Sequence, residues 1–278
     1  MTPPITESQP LFTVGKTPYD WHIKKEELQK CKLLVGGPCQ DNNLRFTTSK
    51  SDHKLMDLLC QLRIPGALGD FGNESCVPRG RNTMAATCMK DGYTHFLSRD
   101  ADIEYDPWDV VKLLAMNLHA SCVIYPYKGI NWTKCFLYCQ EHQKRLQNLK
   151  PEELAEELEA HSLDYVVNMP KKPERCNGGI EINECGGGFL MFKSVAFQRM
   201  IDMGLSPKMN NPTSPDLLDF YYGHYNEMVV AQRHLTEDWA VAWRWRQCGG
   251  KVYALPVAKL NHMGSYNFKG GMPLAGLV

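Results

Sequence analysis

The run Lys32-Leu-Leu-Val-Gly-Gly-Pro-Cys39 is apolar for a few residues and is then stopped by Gly-Gly-Pro. That punctuation predicts a short buried strand ending in a loop. Lys50 to Leu62 follows with Leu55, Leu58, Leu59 and Leu62 at helical spacing, and Ile64-Pro65-Gly66 breaks it. The alternation continues: Arg81 to Lys90 reads as helix, Thr94 to Ser98 as strand, Pro107 to Leu118 as helix and Ser121 to Tyr125 as strand. Strands alternating with helices predict an α/β fold, a mostly parallel central sheet covered by helices on both faces. No repeat interrupts this order, and 278 residues suffice for one large domain.

Beyond Tyr125 the pattern changes. Residues 141 to 163 set Leu146, Leu149, Leu154 and Leu158 among many charges, with Pro151 placed to open a helix. This predicts a charged helical insertion covering part of the core. Pro170 to Gly179 reads as a loop, and Gly186-Gly-Gly-Phe-Leu-Met-Phe192 with the helix Ser194 to Met203 returns to the core pattern. Thr236 stands where it caps a helix led by Glu237 and Asp238, and Gly249 stands where it ends one. The strand Lys251 to Leu260 then delivers His262 at its end.

Charge excludes some functions. Lys plus Arg and Asp plus Glu are 31 each, so no basic field exists to hold a nucleic acid. No stretch approaches the roughly 20 apolar residues of a membrane span, and the first residues, Met1-Thr-Pro-Pro-Ile, lack a secretory or transit pattern, so a cytoplasmic protein is expected. The 11 cysteines are odd in number and scattered, several in segments that read as core, such as Cys60, Cys88 and Cys122. Reduced packed thiols are expected; Cys135 and Cys139 share a helix face but lack two further close zinc ligands.

Two constellations carry chemistry. Asp100 and Asp102 end an apolar strand, and side chains two apart on a strand share a face. Ligands of open α/β sheets gather beyond the carboxyl ends of the strands, where two carboxylates make half of an oxygen site for a divalent ion. His262 is a candidate third ligand. The second constellation is the Glu237-Asp238 pair, in which mutual repulsion lifts one carboxyl toward a useful pKa.

Taken in order, these segments resemble the GT-A glycosyltransferases, in particular compact enzymes of large DNA viruses (chlorovirus-type), phages and bacteria, over residues 32 to 270. The anchors are Arg79-Gly-Arg81-Asn82, Leu97-Ser-Arg-Asp100-Ala-Asp102-Ile, Tyr125-Pro126-Tyr127-Lys128, Gly186-Gly-Gly188-Phe, Thr236-Glu237-Asp238 with Arg244 and Gly249-Gly250, and His262-Met-Gly264-Ser-Tyr. Arg99 departs from the pattern, since such strands carry an apolar residue before the first Asp. The resemblance implies a GT-A domain over 31–278, carrying the insertion 141–163, behind an N-terminal arm of 1–30. It implies a metal-dependent, inverting transfer from a UDP-sugar to a glycan or glycoprotein hydroxyl. A viral capsid glycan and a xylosyl or other pentosyl donor come from the closest likeness, and with them the cytoplasm of a virus-infected host.

In residues, the resemblance implies Asp100, Asp102 and His262 as ligands of Mn²⁺ or Mg²⁺, the imidazole favouring manganese. Asp238 becomes the general base, with Glu237 orienting it or touching the acceptor. Pro38 and Asp41 fall at the nucleoside; Arg79 or Arg81, with Asn82, at the diphosphate; Lys128 near donor or acceptor; and Gly188 beside the sugar, with Asp100 shared. Trp239, Trp243 and Tyr266 offer faces to a pyranose. Two rivals stand beside this reading. One is a non-catalytic nucleotide-sugar or glycan-binding module. The other is a phosphohydrolase with Asp100 as nucleophile, which wants Thr or Val two residues past the second Asp, where Glu104 and Tyr105 stand instead.

Overall fold

A computed structural model describes residues 24 to 40, 43 to 264 and the backbone of 267 to 270. Asp41, Tyr266 and the first 23 residues of the expected N-terminal arm lie outside the described residues. The centre is an eight-stranded sheet in the order Arg175–Cys176, Gly179–Ile182, Val252–Ala254, Ala120–Cys122, Phe189–Lys193, His95–Arg99, Leu33–Gly36 and Gly66–Leu68. The α/β class holds, with helices on both faces. The sheet, however, is mixed rather than mostly parallel. Leu33–Gly36 runs parallel to both of its neighbours and Val252–Ala254 runs parallel to Ala120–Cys122. Phe189–Lys193 is antiparallel to the strands on either side, as is Gly179–Ile182 to both of its own. An apolar run says that a strand is buried and nothing about its direction, which the crossovers decide.

Alternation along the strands splits the core in two. Leu33, Val35, Leu97 and Met191 meet Leu55, Leu59, Val110 and Leu114 on one face, from the helices Phe46–Leu62 and Pro107–Met116. Leu34, Phe96, Leu190 and Phe192 point to the other face, against Met84, Phe197 and Trp245 of the helices Val77–Lys90, Ser194–Asp202 and Glu237–Gln247. Residues one apart therefore serve opposite layers.

Arg99, on the same face as Leu97, is fully buried. Its Nη2 donates to Asp52 Oδ2 at 2.7 Å and to Asp70 Oδ1 at 2.8 Å, while Tyr105 Oη donates to the other oxygen of Asp52 at 2.6 Å. The residue that departs from the family pattern is thus the centre of a buried ionic network that ties the helix Phe46–Leu62 to the strand end. Such a network is destabilising if broken, because an unpaired charge is left behind.

Several boundaries differ from expectation. The helical insertion begins before residue 141, with helices Trp132–Glu141, Gln143–Leu146 and Pro151–His161. The Asn131 side chain opens it by accepting from Lys134 N–H, and Pro151 occupies the first turn of the last helix as expected. Arg175–Cys176 inside the expected loop pairs as an edge strand. Cys60 is exposed rather than core, while Cys88 and Cys122 are buried; none of the 11 cysteines, all of them among the described residues, is in a disulfide. Gly249, at φ 77°, ends its helix as the sequence predicts. Thr236 precedes that helix but does not cap it, because its hydroxyl donates to Asp238 instead. Among the described residues no helix is long and apolar enough to cross a membrane.

Candidate functional site

The central strand His95–Arg99 stops one residue before Asp100, and the chain turns there, with Ile103 N–H donating to Asp100 O at 3.2 Å. The strand argument for a shared face therefore fails, and the two aspartates diverge. Asp100 lies toward the layer of the helices Val77–Lys90 and Glu237–Gln247. Arg81, from the first of these, is buried and forks between Asp100 Oδ1 and Glu237 Oε1, each at 2.6 Å. Burial alone would depress its pKa, but the two carboxylates outweigh burial and raise it. Glu237 is pushed above the usual carboxylate range by burial, against the pull of Arg81 and with the repulsion of Asp238.

Asp238 is held by its neighbours. Its Oδ1 accepts from the Thr236 hydroxyl at 2.6 Å and from Trp239 N–H at 2.8 Å, and its Oδ2 accepts from Gly187 N–H at 3.3 Å. One oxygen is saturated, while the other keeps a long contact and a free lone pair.

Asp102 meets a different set. Its Oδ2 accepts from the Lys128 ammonium, and its Oδ1 lies 3.5 Å from His262 Nε2. His262 arrives on a strand of its own, Leu260–Met263, which pairs with Ile103–Glu104 so that His262 stands opposite Ile103; the expected continuous strand to Leu260 ends at Ala254. His262 Nδ1 is 2.9 Å from Pro126 O, and a carbonyl only accepts, so Nδ1 carries a proton. With Nδ1 committed to that carbonyl, Nε2 is the ring nitrogen that faces the Asp102 carboxylate. Burial raises the pKa of Asp102, but His262 and Lys128 together bring it below the ordinary range.

The three expected metal ligands are therefore not equivalent. Asp102 and His262 bring one carboxylate and one imidazole side by side, the two expected ligands that stand together. Asp100 is taken by Arg81. Among the described residues no three His, Cys, Asp or Glu groups gather closely enough to hold a metal by themselves.

The glycine stretch has a role inside the protein. A Cβ on Gly188 would lie 2.6 Å from Asp100 Oδ2 and 2.8 Å from Tyr125 Oη, so a side chain there collides with the site's own groups. Gly188 N–H donates to Tyr125 Oη at 3.0 Å, and Gly188 O accepts from Asp100 N–H at 3.0 Å. These amides position Asp100, Tyr125 and Asp238, and the Gly187 and Gly188 N–H groups are spent on protein acceptors rather than left for a sugar.

The remaining predicted residues are dispersed. Arg79 binds Glu74 through two nitrogens, at 2.6 and 2.9 Å, leaving Arg81 as the arginine at the aspartates. The Asn82 amide is buried, accepting from Tyr225 N–H and donating to Asn226, so it braces the segment before the last helix. Pro38 pairs with Phe71 and packs on Gly80. Trp239 lies under the Arg233 guanidinium, 4.8 Å from its ring centre, and Trp243 is half-buried. Tyr125, seen in the sequence only as part of a turn motif, is the buried hydroxyl that accepts from Gly188 N–H.

No family model matches this sequence, and no curated protein matches it. Among solved structures, the crystal structure of A197 from STIV aligns with 84% of this chain and 86% of its own, at 16% identity and a TM-score of 0.42.

Proposed function

We propose that the protein is an inverting glycosyltransferase that moves a sugar from a UDP-sugar to a hydroxyl of a glycan or glycoprotein. The observation that carries this reading is the fork of Arg81: one buried guanidinium joins Asp100 of the Asp-x-Asp turn to Glu237 of the Glu-Asp helix start, 156 residues beyond Arg81 in the chain. The two acids are thereby held together beyond the end of the central strand, where α/β sheets bind ligands.

Each group then has a role. Asp238 Oδ2 takes the proton of the attacking hydroxyl, a contribution of about 10²–10⁴-fold for a well-placed base. The saturated Oδ1 keeps the carboxylate from rotating. Arg81 holds Asp100 and Glu237 in register, and the Gly188 carbonyl, accepting from Asp100 N–H, fixes the backbone of Asp100. Asp102 and His262 would hold Mn²⁺ or Mg²⁺, which when bound acts as a Lewis acid toward the leaving diphosphate. Hard divalent ions are commonly held by one or two protein groups and completed by substrate phosphates, which fits a two-residue half-site.

The test is release of UDP from a panel of UDP-sugars with Mn²⁺, pentosyl donors and capsid-type glycan acceptors included. Asp238→Asn is expected to abolish release while calorimetry shows UDP binding within about twofold of wild type. Full turnover by that variant overturns the base assignment. Binding without turnover in the wild type returns the molecule to a binding module, and release of inorganic phosphate returns it to a phosphohydrolase.

A further inference from the structure

The charge of Lys128 has no part in the transfer reaction proposed above. It projects from the strand Pro126–Ile130, and its ammonium reaches across to Asp102 Oδ2. The same carboxylate turns its other oxygen to His262 Nε2, and the His262 ring is oriented by Pro126 O from that same strand. One short strand thus supplies both the carbonyl that fixes the imidazole and the cation that covers its carboxylate partner. Asp102 is about one quarter exposed and Lys128 more than one third, so the contact lies at the water boundary and is replaceable.

We infer that Lys128 is a resident counter-cation that competes with the divalent ion for Asp102 and passes to the diphosphate of the donor when both bind. The inference rests on the metal half-site proposed above. Without ligand, the ammonium neutralises Asp102 beside His262 and keeps affinity for the free metal low. A donor diphosphate bound at the half-site offers the ammonium new oxygens, so metal and donor enter together rather than singly. Lys128 is thereby assigned the coupling between the two, a positioning role exercised through Asp102.

The two halves of the inference predict opposite signs for one substitution, which a purely structural role would not produce. Lys128→Met keeps the apolar stem and removes the charge. Mn²⁺ alone, titrated by its electron paramagnetic resonance signal, is expected to bind this variant roughly fivefold tighter than wild type, the worth of a partly exposed ion pair. UDP, titrated calorimetrically at saturating Mn²⁺, is expected to bind it at least fivefold more weakly. Lys128→Arg, which keeps a cation, is expected to stay near wild type in the Mn²⁺ titration. Unchanged or weaker Mn²⁺ binding by Lys128→Met, with Mn²⁺ bound by wild type, overturns this inference and leaves the half-site standing. Absence of Mn²⁺ binding in both proteins overturns the half-site and this inference with it. Retained UDP affinity in Lys128→Met overturns the passage to the diphosphate.

Discussion

Arg81→Met tests the bridge on which the site depends. The Arg81 side chain is 3% exposed, while its partners Asp100 and Glu237 are 29% and 17% exposed. Removing one member of a buried ion pair costs about 3–5 kcal/mol, because the remaining charge has lost its compensation. Both carboxylates here keep some access to water, so the lower end applies, about 3 kcal/mol. Each kcal/mol moves the melting temperature of a chain of this size by about 2–4 °C, so a fall of about 6–12 °C is expected. Methionine fills most of the space of the arginine stem, which limits any cavity contribution.

The same substitution has a pH signature. Burial pushes the Glu237 carboxyl up and Arg81 opposes that push, so without Arg81 it titrates higher still. A carboxyl whose folded pKa exceeds its unfolded value gives a fold that gains stability as pH falls through the folded pKa. The gap between wild type and variant should therefore narrow between pH 7 and pH 5. Differential scanning calorimetry across that range is the assay, with UDP release measured in parallel and expected to vanish. A fall of less than 2 °C, or a gap that widens in acid, refutes the claim that this guanidinium holds the two acids together.

Other outcomes follow from the same coordinates. Gly188→Ala forces Asp100 and Tyr125 to move, since its Cβ would meet both, and is expected to cost about 1–3 kcal/mol and to abolish transfer. Gly129→Ala, with open space around its Cβ, is the control and should leave both urea midpoint and turnover unchanged. His95 and His224 are buried, and burial lowers both pKa values to about 3, whereas an unfolded histidine titrates near 6.5. Between those values the unfolded chain binds the extra protons, so stability present above about pH 6.5 is lost on acidification, by about 1.4 kcal/mol per histidine per pH unit. Urea midpoints at pH 7.0 and 5.5 measure this, and replacing His224 by Gln should remove about half of the loss; equal midpoints at the two pH values would contradict the burial of neutral rings.

The layering of the fold was legible because hydrophobic periodicity is local. Leu33 and Leu34 commit to opposite faces by strand geometry alone, and Leu55, Leu58, Leu59 and Leu62 form one helical stripe in any context. The positions of Asp100 and Asp102 at a strand end, and of Gly249 at a helix end, could be read the same way. Arg99 carried a further signal: an arginine inside Phe96-Leu-Ser-Arg99 must find counter-ions if that strand is buried. Which acids answer it, Asp52 and Asp70, could not be read from the strand itself.

What only the tertiary structure decided is every pairing between distant charges. Nothing near Arg81 in the chain singles out Glu237, and nothing near Asp102 singles out Lys128. Strand direction, the turn that parts Asp100 from Asp102, and the glycines that make room for Tyr125 and Asp100 are likewise properties of the assembled sheet. The physical reason is range. Backbone preference and side-chain period act over a few residues, whereas an ion pair is fixed by the separation of its atoms in space, and that separation exists only once the layers have packed.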